Sequence, residues 1–205
     1  MAAIPFLWVL PLSVYLLTFV LTFESDRWYR RSWLVPIAGI MLALCSFGLQ
    51  DSLGSDVKTA IPLYMAGLFV LCMFLHGETA RLRPAPRYLT RFYLMLSLGG
   101  AIGGISVGLL APHVLPAYYE LGIGFVLSAG LGAVVLRTQR LAQVMALMLA
   151  LSCAYFLSLQ VRDDVAGARL VQRSFYGTLV TLDTRRDDPA DDVALITFDR
   201  QPAAL

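Results

Sequence analysis

From Ile4 onward the chain alternates long uncharged runs with short polar gaps. The first run, Ile4 to Phe23 (IPFLWVLPLSVYLLTFVLTF), holds 20 residues and no charge. At ~1.5 Å of rise per residue such a helix reaches across a ~30 Å hydrocarbon core. Five more apolar runs follow, at Trp33–Leu49, Thr59–Leu75, Phe92–Leu110, Ala117–Leu136 and Leu141–Leu159. Pro5 suits a first helical turn, whereas Pro11 is interior and predicts a kink. Between the third and fourth runs, Glu78–Arg91 carries Pro84 and Pro86, which remove amide donors and push their predecessors out of the helical region. An extended interfacial loop is expected there. Pro112 and Pro116 predict a tight turn between the fourth and fifth helices.

The pattern changes after Gln160. Leu170–Leu182 (LVQRSFYGTLVTL) and Val193–Phe198 (VALITF) are rich in β-branched and aromatic residues, and they flank the charged segment Asp183–Asp192 with its Pro189. That arrangement predicts a hairpin with a long loop. An isolated two-stranded hairpin is marginal in water, so the tail is expected to pack against further protein. The expected fold is an all-α integral membrane bundle of about six transmembrane helices with a short C-terminal β-hairpin tail. Residues 1–160 form the helical domain, with helices near 4–23, 33–49, 59–75, 92–110, 117–136 and 141–159, and residues 161–205 form the polar tail.

Composition agrees with a bilayer as the main partner. At 58% hydrophobic and 15% charged, with mean hydropathy +0.70, the chain is too apolar for a soluble domain of its size. A net charge of +2 gives no footprint for nucleic acid. The N-terminal run is not expected to be a signal peptide, because no basic residue precedes it and it ends in Phe23–Glu24 rather than a small-residue cleavage site. Charge placement is more informative than its total. Arg27, Arg30 and Arg31 lie beside Trp28, Tyr29 and Trp33. Arg81, Arg83, Arg87 and Arg91 fill the next basic gap, and Arg137 and Arg140 the last. These are alternate gaps. The positive-inside rule puts loops 24–32, 78–91 and 137–140 in the cytoplasm, on the inner face of the cell inner membrane, with the N-terminus outside. Six spans then place the tail outside as well.

Two sets of residues are candidates for function. Gly100, Gly104 and Gly108 recur every four residues, with Gly99 and Gly103 alongside, and the next helix answers with Gly124, Ser128 and Gly132. Small residues at that spacing let helix backbones approach in lipid, so the fourth helix is expected to pack closely on the fifth. The functional alternative is a thin-walled transport path or a sliding interface. His76, Glu78, Arg81, Arg91, His113 and Glu120 are the other set, because ionisable groups near a membrane mark functional sites when they lie at depth. All fall near predicted helix ends, where salt bridges or caps are expected, with Glu78 in reach of Arg81 and Arg91. No catalytic, cofactor-binding or metal residues are identified. GGAIGG (99–104) matches a nucleotide loop by letters alone, without the preceding strand or the following acidic residue. The two histidines lack metal-ligand spacing. Cys45, Cys72 and Cys153 sit singly in apolar runs as expected buried thiols. Asp187, Asp188, Asp191 and Asp192 fit a solvated turn.

Three stretches together resemble a known family. IPFLWVLPLSVYLLTFVLTF with WYRRSW, HGETARLRPAPRYLTRFYLMLSLGGAIGG, and RSFYGTL (Arg173, Phe175, Tyr176 and Gly177 among them) are similar to large bacterial membrane proteins that fuse transporter-like helices to a spermidine synthase-like domain. The middle stretch is the most specific. This chain departs from the pattern with Thr79 in place of Leu and Arg91 in place of Glu, and the second change inverts a charge at the mouth of the fourth helix. The resemblance covers most of residues 1–180. It implies a Rossmann-type domain that binds adenosylmethionine and an amine, which the segment after Asp183 does not continue into. The chain is therefore expected to correspond to the membrane half plus the first hairpin, as a truncation, a split subunit or a decayed copy. Two functions from different classes are expected. One is a membrane module of a synthase-like system, which anchors a separate synthase-like chain or hands substrate to it without being catalytic itself. The other is a transporter-like carrier of small solutes or polyamines, or a structural bundle, whose link to polyamines is only ancestral.

Overall fold

The computed structural model describes residues 5–25, 27–49, 57–165, 168–174, 177–182 and 195–198, with side chains over 9–25, 27–49 and 57–162. Helix α1 spans Pro5–Glu24, α2 Arg31–Gly48 and α3 Val57–Arg81. A 3-10 turn at Pro86–Tyr88 leads into α4 (Leu89–Ile105), which continues through a π-helical turn at Ser106–Leu110 into α5 (Ala111–Val114). Helices α6 (Glu120–Val135) and α7 (Arg140–Val165) complete the helical part. Four stretches are long and apolar enough to cross a membrane, namely Arg31–Gly48, Val57–Arg81, Pro86–Val114 and Arg140–Arg162. Val9–Glu24 and Glu120–Val135 are shorter apolar helices.

The third helix does not stop at Leu75. It runs on through His76, Glu78 and Arg81, so the expected loop over Glu78–Arg91 contracts to 82–85. Nothing between His76 and Arg81 blocks a helix, and the Thr79 hydroxyl donates back to the Leu75 carbonyl at 2.8 Å. The break falls just ahead of Pro84, where the residue before a proline leaves the helical region. Pro86 then starts the next turn, where a missing amide costs nothing. The helix expected to end at Leu110 also continues. Pro112 lies one residue into α5, directly after the π turn. Widening the helix there relieves the clash between the proline ring and the carbonyl four residues back. The turn expected at Pro112 and Pro116 lies instead at 115–119, and α6 starts at Glu120 rather than Ala117.

Two packing groups share α3. On one side α1 lies along α3. On the other, α2, α6 and α7 enclose a core of Leu42, Cys45, Phe125, Ala129 and Cys153, with Leu63 and Leu71 of α3 against it. The three cysteines are buried and free. Ser46 Oγ lies 3.2 Å from Cys153 Sγ, a polar contact that gives the hydroxyl a partner inside an apolar interface.

After α7 the backbone forms three strands, β1 (Ala168–Ser174), β2 (Gly177–Leu182) and β3 (Leu195–Phe198), paired antiparallel in the order β1-β2-β3. Where one strand was expected over Leu170–Leu182, the backbone has two, with Ser174 opposite Gly177. The charged segment 183–192, Phe175 and Tyr176 lie outside the described residues.

Candidate functional site

The best-defined polar site is a knot where α2 begins and α3 ends. Tyr29 precedes α2 and is only 9% exposed, unlike its neighbour Trp28 at 55%. Its hydroxyl donates to Glu78 Oε1 at 2.5 Å. Arg31 Nε stands 3.1 Å from the same oxygen and Arg81 Nη1 3.6 Å from it. The Arg31 nitrogen is buried and makes no well-directed hydrogen bond, so its link to Glu78 is mainly coulombic. Arg31 Nη2 donates to the carbonyl of Val135 at 2.9 Å, at the end of α6. One carboxylate thus holds the α1–α2 gap to α3, and one guanidinium extends the clasp to α6. Burial, then the hydrogen bond and negative charge of Glu78, push the Tyr29 phenol well above its ordinary pKa. The phenol therefore stays a neutral donor.

Gly77 makes the knot possible. An added Cβ would overlap the ring of Tyr29, so only glycine lets the ring lie flat on α3 beside Glu78. A hollow of about 440 Å³ adjoins it, lined by Thr22, Tyr29, Gly77, Ala80, Arg81 and Arg83. Arg83 Nη1 reaches the Phe23 carbonyl at 3.5 Å, which ties the 82–85 gap to the end of α1.

His76 lies about one and a half turns before Arg81's end of α3 and faces α1. Its Nδ1 is 3.1 Å from Thr18 Oγ1, and the rings of Tyr15 and Phe19 present edge contacts at 4.9 and 5.4 Å. The Thr18 hydroxyl has one proton and donates it to the Tyr15 carbonyl at 2.8 Å. In the contact with His76, Oγ1 is therefore the acceptor and Nδ1 carries the proton.

Of the ionisable candidates, the structure brings His76, Glu78 and Arg81 onto one helix, and Glu78 and Arg81 into direct contact. Arg91 is not a partner of Glu78, because it sits on α4 rather than in a loop folded over α3. Arg31 fills that place. Glu120 opens α6, where a negative charge complements the helix dipole. It stands ~22 Å along that helix from the Val135 end that meets the knot. His113 Nδ1 contacts the Leu109 carbonyl at 2.6 Å on exposed α5, also away from the knot. Sequence reasoning missed Tyr29 and Arg31 as site residues. Both were placed with the interfacial aromatics and arginines, and the available signal was Gly77, a helical glycine beside a carboxylate.

The glycine ladder does not form the expected contact. A Cβ built at Gly100, Gly104 or Gly108 meets no atom within 4 Å, nor does one at Gly99, Gly103 or Gly124. Helix α4 has at most marginal contact with α6. Gly132 faces Phe74 of α3 at 3.9 Å instead, and Ser128 faces the space between α2 and α7. The reason is that α6 turns Gly122, Ala129 and Gly132 toward α7, the core and α3. Helix α4 is held at its start by ring contacts of Phe92 and Tyr93 with Phe23, at 6.5 and 6.3 Å. Among the described residues, no group of three His, Cys, Asp or Glu side chains converges as a metal ion requires. Arg173 and Gly177 lie on β1 and β2, with Gly177 opposite Ser174.

The knot also orders the bundle. The gaps before α2, after α3 and after α6 converge on one face, and these are the three arginine-bearing gaps. Such a site can pin helices and attract anions at that face. Compared with family models, with curated proteins and with solved structures, the chain gives no match.

Proposed function

We propose that this chain is a multi-pass inner-membrane anchoring module, whose tail recruits a partner chain at the face opposite the arginine gaps. The observation that carries this is the course of α7. It leaves the α6–α7 gap at the knot face and runs 26 residues, ~39 Å, before β1 begins at Ala168. The tail sheet then stands at the far end of the bundle. Among the described residues its outer strands, β1 and β3, each pair on one side only. Open edges of that kind accept an added strand from another chain.

The convergence of Arg31, Arg81, Arg83 and the Arg137–Arg140 turn at one face supports a cytoplasmic assignment for that face. With α1 and α6 counted as crossings, the bundle has six spans, and the tail lies outside the cytoplasm. The resemblance of HGETARLRPAPRYLTRFY and RSFYGTL to the synthase-fused membrane proteins supplies the partner class, a synthase-like chain. A partner on the outer side would not meet adenosylmethionine, so the role supported there is anchoring rather than aminopropyl transfer.

Two measurements test this. A reporter active only on one side of the membrane, fused after Leu205, should report the outer side, and a cytoplasmic signal overturns the orientation. Affinity capture through the N-terminus, from cells that encode a synthase-like chain, should recover that chain with the intact protein and lose it when the tail is cut after Val165. Recovery of no synthase-like chain overturns the partner assignment.

A further inference from the structure

A cavity of about 640 Å³ lies between α2, α6 and α7, and it is not part of the polar knot's hollow. It exists because its walls are built from small residues, among them Gly39 of α2, Ala129 and Gly132 of α6, and Ala146 of α7. The exposed side chains of Ile40 and Met145 stand at its lip, so it faces outward between α2 and α7. Its size falls in the range of pockets that hold small ligands. Polar groups gather at one end, where Arg31, Ser32 and Gln139 line it, and Ser128 is the exception midway. From Arg31 to Ala43 along α2 the lining runs ~18 Å, against ~15 Å for the hydrocarbon of one leaflet.

These features match an amphiphile. The apolar length fits a single acyl chain. On the bilayer placement proposed above, the polar end sits at the depth of the headgroups on the basic face. Arg31 projects there with its side chain 25% exposed, directing Nη2 to Val135 and Nε toward Glu78. A guanidinium carries five N–H donors, so those two contacts leave it able to grip a phosphate as well. Glu78 is balanced by Arg81, and Arg137 and Arg140 follow in the adjoining gap, so the mouth is net positive.

We propose that this cavity holds one acyl chain of an anionic phospholipid from the leaflet at the basic face, with the lipid phosphate on Arg31. The bound lipid fills the seam between α2 and α7 that the small side chains leave open. The inference rests on the bilayer placement proposed above and on nothing in the tail.

The test uses the full chain in detergent, offered phosphatidylglycerol or phosphatidylcholine of identical acyl composition, with retained lipid per protein read by native mass spectrometry. Retention of phosphatidylglycerol should exceed that of phosphatidylcholine by about fivefold, the effect of one arginine near a charged headgroup. Gly39→Leu and Ala146→Phe, which occupy the cavity without touching the knot, should reduce phosphatidylglycerol retention to the phosphatidylcholine level. Ala101→Phe on α4 should leave it unchanged. Equal retention of the two lipids by the wild-type chain overturns the proposal and does not depend on any variant folding. Undiminished retention in both filled variants overturns it too. A chain that stays in solution without detergent would overturn the bilayer placement instead, so the two failures are distinguishable.

Discussion

Glycines in α3 and glycines in α4 occupy comparable apolar helices and do opposite things. A Cβ at Gly67 would come within 2.5 Å of Cys45 Sγ, and one at Gly77 would overlap the Tyr29 ring. Along α4 and the π turn, Gly99, Gly100, Gly103, Gly104 and Gly108 have no neighbour within 4 Å. The denser glycine pattern is the one without a partner. Spacing shows where a backbone could be approached. What approaches depends on what the neighbouring helix has to bury. Helix α3 meets a phenol, an arginine and a thiol that need partners. Helix α4 turns Leu94, Met95, Leu98 and Ile102 outward, and lipid solvates those as well as protein does.

The sharpest way to break this contrast is Gly77→Leu. Overpacking against Tyr29 and loss of its bond to Glu78 should destabilise the chain by about 3 kcal/mol. Thermal unfolding in detergent would show it, and an unchanged melting temperature would mean that Tyr29 does not lie on α3. Glu78→Gln should cost about 2 kcal/mol, less than a fully buried pair because Arg31 and Arg81 are partly solvated. Tyr29→Phe should cost about 1.5 kcal/mol, as expected for a hydrogen bond to a charged acceptor. The sign of its pH dependence follows from the raised phenol pKa. The unfolded chain loses the proton near ~10 while the folded chain keeps it, so the tyrosine's contribution is complete below ~10 and declines as pH rises through the folded value. Unfolding followed from neutral to alkaline pH should separate wild type and Tyr29→Phe least at the alkaline end. Gly104→Leu should change stability by no more than ~0.5 kcal/mol. That is the reverse of the close packing expected from the ladder, and a large loss would restore it.

The positions of the apolar runs were legible because a bilayer demands length and uniformity, which a sequence displays directly. The helix ends were less so. His76–Arg81 looks like the start of a polar connector, yet a helix crossing the interface continues as long as its side chains find partners, and those partners lie 49 residues away at Tyr29 and on α2 at Arg31. Proline signalled correctly at 84 and 86 and misled at 112, where a π turn absorbs the ring. Half of the knot was therefore visible, in Glu78 and Arg81. The other half depended on which arginine the fold brings near, and Arg31 rather than Arg91 could be chosen only from tertiary placement.

The bond from Arg31 to the Val135 carbonyl joins residues 104 positions apart. During synthesis α1, α2 and α3 can gather around Glu78 as soon as α3 has emerged, but the second grip of that guanidinium must wait for the end of α6. Closure of the bundle at this face is thus a late event in membrane insertion, and it reports that α1 through α6 have already arrived.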